Sequence, residues 1–474
     1  MILNNRPAGV QWGMVSPSGP HLPRPLAGLS DYATADRPGV DVDATVMRLR
    51  RLVFLKTCLT KMMAAHFCGV PEWEVKGALG LHLWQDAEHG TWLRTRVTEM
   101  RTPPHHLDRV PAAELGVFAE ELLRAASTLE LLVGIHGVLK PAMLAAMEAH
   151  LAQSHPVADQ PTRRLFGFIM QEEREQIAWG REAADALAAR AGVSLAEGPL
   201  AAWRRHLEAY LSAAGGVFGE ETPAATAALP PPRAALPFEP VRVPRRDDRF
   251  PHVWNSRGAL PKPGGAVHER IWWMMNVRLQ EMHVPELVAT VLYDWKDQPW
   301  EFYHDLARHL WDEVRHSMLG EIAFAGQGID FTQIPTHVGF AAFPNTRLDP
   351  ADRYAFLWGI EQGLMIKSGK QAEVALAKAG GDSVKATFQD FDWADEVLHA
   401  QIGRRWLEPH YGDRERMNDA YTRVRGEYDR MKEEDLAKPG RDWWPAFYTR
   451  NLKDRDPHHG QAVADVPPIA GSGY

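Results

Sequence analysis

The chain has 474 residues, of which 45% are hydrophobic and 24% are charged. This is a globular composition, long enough for two domains with sizeable cores. The net charge of -8 and the pI of about 6.2 give no electrostatic reason to bind nucleic acid or an anionic membrane. The only two cysteines, Cys58 and Cys68, exclude a disulfide framework and a cysteine-rich metal site.

The N-terminal segment Met1–Leu26 has no apolar core of the kind found in a signal peptide. The longest apolar run, Leu129–Leu139, is interrupted by Glu130 and His136 and falls short of the ~18 residues of a membrane span. We therefore expect a cytoplasmic protein with no membrane partner.

Apolar residues recur at spacings of three and four along most of the chain, which predicts amphipathic helices. Residues 1–42 are rich in Pro and Gly and are predicted to be extended, whereas 43–220 carry four long helical patterns and a shorter fifth. Residues 221–265 form a Pro/Gly-rich connector, 266–412 carry four more helices, and 413–474 form a charged helix and a tail. The sequence predicts an all-α protein of two tandem four-helix bundles joined by this connector.

Two features of the second set of helices bear on its shape. Pro285 cannot donate a backbone hydrogen bond to the carbonyl of Glu281, so we expect the first helix to bend there. The segment Gly326–Asp349 is predicted to be a loop that covers a pocket and influences substrate range.

Two short motifs in this second set place a carboxylate and an imidazole three residues apart. They are Asp312-Glu313-Val314-Arg315-His316 and Asp395-Glu396-Val397-Leu398-His399. On an α-helix this spacing puts both side chains on one face, where they can hold a divalent metal. One such pair is common on exposed helices, but two inside Trp-containing apolar helices indicate a metal site.

A di-metal site in a helical bundle also needs an inward-facing Glu from each of the other two helices. Counted outward from the break at Asp297-Gln298-Pro299, Glu281 lies level with Glu313, and Glu286 is the alternative. In the third helix Glu361 is the acidic residue at a suitable height. The predicted ligands are Glu281, Glu313, His316, Glu361, Glu396 and His399.

Four carboxylates and two imidazoles balance the charge of two divalent metals. Such oxygen-rich ligation suits Fe or Mn better than Zn. We expect two Fe ions as cofactors, with Mn or a mixed Fe/Mn pair as the alternative. His283 is interpreted as a hydrogen-bonded neighbour of Glu281 rather than as a ligand, and Lys367 and Lys370 are expected to face solvent or the other half of the chain.

The two sets of helices resemble copies of one another. His82-Leu83-Trp84 matches His309-Leu310-Trp311 at an offset of 227 residues, the difference between 311 and 84. The same offset places Phe54 on Glu281, Asp86 on Glu313 and His89 on His316. An offset of 225 places His136 on Glu361, and an offset of 223 places Glu173 on Glu396 and Gln176 on His399.

Phe54 cannot bind a metal, so the first copy is predicted to be degenerate. Its polar remnants would then hydrogen-bond within the bundle. The alternative is a single weak metal site formed by Asp86, His89 and Glu173, with His136 as a further ligand.

The ligand order Glu, Glu-x-x-His, Glu, Glu-x-x-His resembles that of the ferritin-like di-iron carboxylate proteins. The stretch Asp312 to His316 is similar to the Asp-Glu-x-Arg-His motif of bacterial multicomponent monooxygenases, while Leu398 departs from it in the second motif. The resemblance implies that Asp312 and Asp395 orient His399 and His316, and that Arg315 pairs with one of these aspartates.

The resemblance also implies a di-iron oxygenase or oxidase that activates dioxygen (O2) and oxidises a small organic substrate. Its expected partners are that substrate and an electron-donor reductase or ferredoxin, and a homodimer is left open. The alternatives are a di-iron or di-manganese protein that scavenges peroxide or oxygen, a hydrolytic metal pair, and a non-catalytic scaffold.

Overall fold

A computed structural model describes residues 23–222, 229–254, 267–439 and 442–455. The predicted segments 1–42, 221–265 and 413–474 therefore lie partly outside the described residues. The helices of the first half are α1 (Tyr32–Ala35), α2 (Val42–Phe67), α3 (Trp73–Glu99), α4 (Ala113–Leu123), α5 (Thr128–Leu132), α6 (Lys140–Gln153), α7 (Gln160–Ala191) and α8 (Gly198–Ala213).

The second half continues the helical architecture. Its helices are α9 (Val267–Gln280), α10 (His283–Asp294), α11 (Trp300–Ala325), α12 (Gly339–Arg347), α13 (Pro350–Leu364), α14 (Lys370–Ala379), α15 (Ser383–Tyr411), α16 (Arg414–Leu436) and α17 (Trp444–Asn451). Within the described ranges the strands are β1 (His252–Val253) and β2 (Thr336–His337), which pair in parallel with His252 opposite Thr336. The chain is all-α, as predicted.

Aspartate caps fix where several long helices begin. The side chains of Asp41, Asp349, Asp382 and Asp413 each accept a hydrogen bond from the backbone N–H three residues later. Such caps satisfy N–H groups that have no partner inside the helix. They set the starts of α2, α13, α15 and α16.

The first helix of the second half breaks beside Glu281, as Pro285 predicts. Helix α9 ends at Gln280 and α10 begins at His283. The Glu281 carbonyl accepts instead from Val284 N–H at 2.8 Å, which closes a tighter turn. The turn brings the Glu281 side chain to the inside of the bundle, where it is fully buried.

Gly320 allows α9 and α11 to pack closely at this level. A Cβ atom at Gly320 would lie 2.2 Å from the backbone nitrogen of Leu279, so any larger residue would push the helices apart. Glu281 follows Leu279 by two residues. The close approach therefore holds Glu281 next to α11.

The prediction of a loop at Gly326–Asp349 is wrong for most of its length. The segment contains β2 and α12, and Phe340, Ala341 and Phe343 of α12 are buried in the core. Pro344 lies inside α12 and masked the helical pattern in the sequence. This segment is a packed element and not a flexible cover.

The expectation that no helix is long and apolar enough to cross a membrane also needs correction. Helices α5 and α6 are joined by a π-helical stretch, Val133–Leu139, into one helix, Thr128–Gln153. Its most apolar window has a mean hydropathy of 1.5 despite the polar interruptions noted above, and 61% of that window is buried inside the protein.

Helices α3 and α11 pack against each other through residues that correspond in the two halves. Trp84 and Trp311 stack with ring centroids 6.3 Å apart and planes 11° apart. Trp73 donates to Glu321 at 2.8 Å, and Arg94 lies 4.8 Å from the ring centroid of Trp300. The 227-residue offset relates Trp73 to Trp300 and Arg94 to Glu321, so the two contacts correspond.

The described part of the connector, 229–254, lacks helix and binds both halves by ion pairs. Arg249 contacts Glu74 of α3 at 2.6 Å, and Arg246 contacts Glu286 of α10 at 2.7 Å. These pairs hold the connector against α3 and α10, and the Arg246 contact is buried. They also give Glu286 a role outside the predicted ligand set.

Candidate metal centre

The six predicted ligands converge from four segments of the second half and are fully buried. Glu281 lies in the break between α9 and α10, and Glu361 lies on α13. The other four lie in pairs on α11 and α15, which carry the two Glu-x-x-His motifs. Whether these residues bind metal stays a prediction, but the structure brings their side chains together.

Glu313 lies at the meeting point of two groups of potential ligands. Its Oε1 atom is 3.1 Å from His399 Nδ1, and its Oε2 atom is 3.4 Å from His316 Nδ1. Glu281 Oε2 is 3.8 Å from the same His316 nitrogen. Glu313 therefore belongs to one group with Glu281 and His316 and to another with Glu361 and His399, and the donor atoms within each group lie within 4.8 Å of one another.

The two aspartates that precede the Glu-x-x-His motifs contact histidines across the bundle. Asp312 Oδ2 lies 3.3 Å from His399 Nε2, and Asp395 Oδ2 lies 3.2 Å from His316 Nε2. An aspartate beside Nε2 favours a proton on that nitrogen, which leaves Nδ1 to face the carboxylates. Arg315 donates to both aspartates, at 2.8 Å to Asp395, and so holds the pair together.

Glu286, the alternative to Glu281, lies outside the centre. It is buried in ion pairs with Lys76 and Arg246. His283 packs its ring against His337 and Phe340, with centroids 4.4 and 4.3 Å away.

His309 also belongs to the centre, although neither Glu-x-x-His motif includes it. Its Nε2 atom is 2.9 Å from Glu361 Oε1, its Nδ1 atom is 3.1 Å from the Tyr354 hydroxyl, and its ring stacks on His399 at 3.9 Å. His309 precedes Glu313 by four residues and so lies on the same helix face. Extending the motif by one turn toward the N-terminus would have found it.

Two basic residues and one further acid in the centre were also missed. Lys370 Nζ lies 2.8 Å from Asp392 and 2.9 Å from Glu396, and Arg278 contacts both Asp392 and Glu281. The expectation that Lys370 faces solvent or the other half is therefore wrong. Helix α13 ends at Leu364 and α14 begins at Lys370, and this change of helix turns the Lys370 side chain inward.

Burial and the charges of neighbouring side chains shift the pKa values of the predicted ligands. Burial raises the pKa of Glu281 to about 7 and raises the pKa of Glu361 well above its ordinary value. Burial acts against a charge on His399, but Asp312 and Glu313 outweigh it and raise its pKa well above the usual range. Protons therefore balance carboxylates that a metal would otherwise neutralise.

The donor set fits divalent metal ions. Several of the predicted ligands have buried polar atoms without a well-aligned hydrogen-bond partner in the described ranges. They include Glu281 Oε2, both oxygens of Glu313, Glu361 Oε2, His316 Nδ1 and His399 Nδ1. Buried polar atoms without partners are rare and costly. These atoms converge, and the buried His, Glu and Asp groups that carry them could hold a metal ion.

In the first half, lysines contact the carboxylates that correspond to metal ligands. Lys56 Nζ lies 2.5 Å from Asp86 and also contacts Glu173. Lys140 Nζ lies 2.8 Å from Asp86 and 3.2 Å from Glu173, and all four side chains are fully buried. Two ammonium groups thus supply the positive charge there, which favours a degenerate half without metal.

Other polar residues of the first half that correspond to the candidate centre make hydrogen bonds within the bundle. His82 Nδ1 lies 3.1 Å from His136 Nε2, and Gln176 donates to Gln85 at 2.7 Å. His89 Nε2 is 2.7 Å from Glu172. The alternative weak metal site would have to displace both lysines from Asp86 and Glu173.

A cavity of about 540 Å³ lies between the two halves. Its apolar walls include Trp73, Leu81 and Trp179 from the first half. Met282 and Met318 line it from the second half, and they lie one and two residues beyond Glu281 and His316.

Comparisons with models of protein families, with curated proteins and with solved structures found no significant match to this chain. The functional interpretation therefore rests on the geometry of the buried residues.

Proposed function

We propose that this protein is a di-iron oxygenase or oxidase of the ferritin-like type, acting on a small organic substrate. The observation that carries the proposal is the position of Glu313, whose two oxygens face two adjoining groups of buried His and Glu side chains. Glu313 would thus be a ligand common to both groups, and the two groups would hold two metal ions.

The chemistry of the donors favours iron, with manganese as the alternative. Carboxylate and imidazole ligands without thiolates suit redox-active Fe or Mn, whereas structural Zn sites favour Cys and His. When bound, a pair of Fe(II) ions would supply electrons for the reduction of dioxygen. Insertion of one oxygen atom into R–H, with formation of R–OH and one water, consumes two electrons and two protons in each turnover. The expected reductase or ferredoxin partner would be the source of these two electrons, and solvent would supply the protons.

The protein's own residues would orient the ligands and exclude water. Asp312 and Asp395 hold His399 and His316 with Nδ1 toward the carboxylates. The complete burial of the ligands keeps bulk water away and strengthens every charge interaction at the centre. Arg308 and Arg315 form ion pairs with Asp312 and Asp395. The negative charge of these two aspartates therefore does not have to be neutralised by a metal.

We further propose that the two halves are tandem ferritin-like bundles, of which the second is active. The stacking of Trp84 on Trp311, and the matched contacts of Trp73 and Trp300, support a two-fold relation between duplicated halves. The contacts of Lys56 and Lys140 with Asp86 support the proposal that the first half binds no metal, because two ammonium groups supply the positive charge there. Its role would be to support α11 and to form one wall of the cavity.

The cavity between the halves is proposed to receive the substrate. Its size suits a small organic molecule, and Met282 and Met318 connect its wall to the ligand-bearing segments. Trp73 and Trp179 offer flat apolar surfaces to a ring or chain.

The test is oxygen uptake by the protein loaded anaerobically with Fe(II). The wild type and a Glu301→Gln control, altered at an exposed position of α11, should consume dioxygen with a transient optical change. Glu313→Gln should not. Loaded protein that consumes no dioxygen would contradict the oxygenase proposal and support hydrolysis.

A further inference from the structure

The two groups of potential ligands in the candidate centre differ in their contacts with Lys and Arg. The inference below rests on the di-iron function proposed above. We propose that the two metal positions are unequal. The first is formed by His309, Glu313, Glu361 and His399, with His309 as a seventh metal ligand. The second, beside Glu281, His316 and Glu396, is held closed by Lys370 until a metal displaces its ammonium group.

The first position has the donors of a complete site. His309, Glu313, Glu361 and His399 each offer a donor atom within 4.8 Å of the others, and all are buried. The hydroxyl of Tyr354 and the stacked ring of His399 fix the His309 ring with Nε2 toward Glu361.

The ionic partners of Glu313 and Glu361 in the described part of the chain are histidines. Histidine nitrogens are themselves metal donors. A metal entering here therefore does not have to break contacts with Lys or Arg.

The second position differs because two permanent cations contact its carboxylates. Lys370 Nζ lies 2.9 Å from Glu396 Oε1, and Arg278 Nη2 lies 2.8 Å from Glu281 Oε1. Arginine does not lose its proton near neutral pH, and lysine does so only when strongly perturbed. A metal must move both groups away from these oxygens before it can bind them.

Asp392 is placed to receive the displaced cations. It contacts Lys370 at 2.8 Å and also contacts Arg278, and it is fully buried beside Glu396. When Glu281 and Glu396 turn to a metal, the two cations can stay paired with Asp392. A metal can therefore enter the second position, but only if the ion pairs Lys370–Glu396 and Arg278–Glu281 are broken.

The first half supplies an independent parallel. Lys140 lies inside the continuous helix Thr128–Gln153, whereas Lys370 is the first residue of α14. In the first half, Lys140 contacts Glu173. In the second half, Lys370 contacts Glu396, which corresponds to Glu173 in the duplication and lies beside the other predicted metal ligands.

The experiment is an anaerobic titration of the metal-free, full-length protein with Mn(II), followed by calorimetry and by the electron paramagnetic resonance signal of free Mn(II). The wild type should bind two ions in two steps, the first at least tenfold tighter than the second. Lys370→Met should tighten the second step at least tenfold and leave the first unchanged. Lys367→Met, the same change at an exposed residue nearby, should match the wild type.

His309→Gln should weaken the first step at least tenfold, whereas His304→Gln, on the same helix but paired with Glu88, should not. Circular dichroism and thermal unfolding would verify that each variant is folded. Two equal sites, or a first step unchanged in His309→Gln, would overturn the inference and leave the di-metal proposal standing. Absence of Mn(II) binding in the wild type would overturn both.

Discussion

Glu313 and His399 meet at the centre of the second half, with Oε1 of the carboxylate 3.1 Å from Nδ1 of the ring. The other oxygen of Glu313 faces His316 at 3.4 Å. One side chain therefore touches the histidines of both Glu-x-x-His motifs.

Replacing Asp312 with Asn should weaken metal binding without unfolding the protein. The change keeps the shape of the side chain but removes the charge that favours a proton on His399 Nε2. Loss of such an orienting carboxylate typically lowers metal affinity by about 10- to 100-fold. Mn(II) titration measures the effect, with Asp390→Asn, at an exposed site on α15, as control. Equal affinities for the two variants would show that Asp312 does not orient His399.

Replacing Lys56 with Met should destabilise the first half. The change leaves Asp86 and Glu173 buried with only Lys140 as their ammonium partner. Removing one member of a buried ion pair typically costs about 3–5 kcal/mol. We expect a lower melting temperature, partly restored in Lys56→Met with Asp86→Asn, while the exposed Lys378→Met behaves as wild type. An unchanged melting temperature in Lys56→Met would contradict a stabilising role for the lysine.

The pair His82 and His136 should make stability depend on pH. Burial lowers the pKa of His82 to about 3 and lowers that of His136 well below its ordinary value of 6.5. Below pH 6.5 the unfolded chain binds protons that the folded chain excludes, so stability falls as the pH drops from about 6.5 toward 3. His82→Gln should lose less stability than the wild type between pH 7 and pH 5 in thermal unfolding. Identical losses would mean that His82 does not contribute.

Filling the cavity between the halves should affect substrate use but not metal binding. Ala78 lines this cavity from α3, and Ala78→Phe would project a ring into it. We expect the turnover of larger substrates to fall several-fold while Mn(II) binding stays at two ions per chain. Unchanged turnover for every substrate would place the substrate elsewhere.

The site residues that could be predicted from the sequence are those whose arrangement depends on local geometry alone. The spacing of Glu313 and His316 puts both on one face of a helix whatever surrounds it. Pro285 interrupts its helix because proline has no backbone N–H to donate. His309 lies on the same face, but no Glu-x-x-His motif includes it.

The cationic residues could not be found in this way. Lys370 and Arg278 reach the centre because of the break after Leu364 and the close packing of α9 on α11, and local periodicity encodes neither. Lys56 was not predicted because the duplication aligns Phe54, and not Lys56, with Glu281.

The measurement that tests the central claim most directly is the iron content per chain after anaerobic Fe(II) loading and removal of unbound metal. The account predicts two irons in the wild type and in the Glu301→Ala control, and loss of iron in Glu313→Ala and Glu396→Ala. Wild-type protein without iron, or full iron content in Glu313→Ala, would contradict a di-metal centre bridged by this carboxylate.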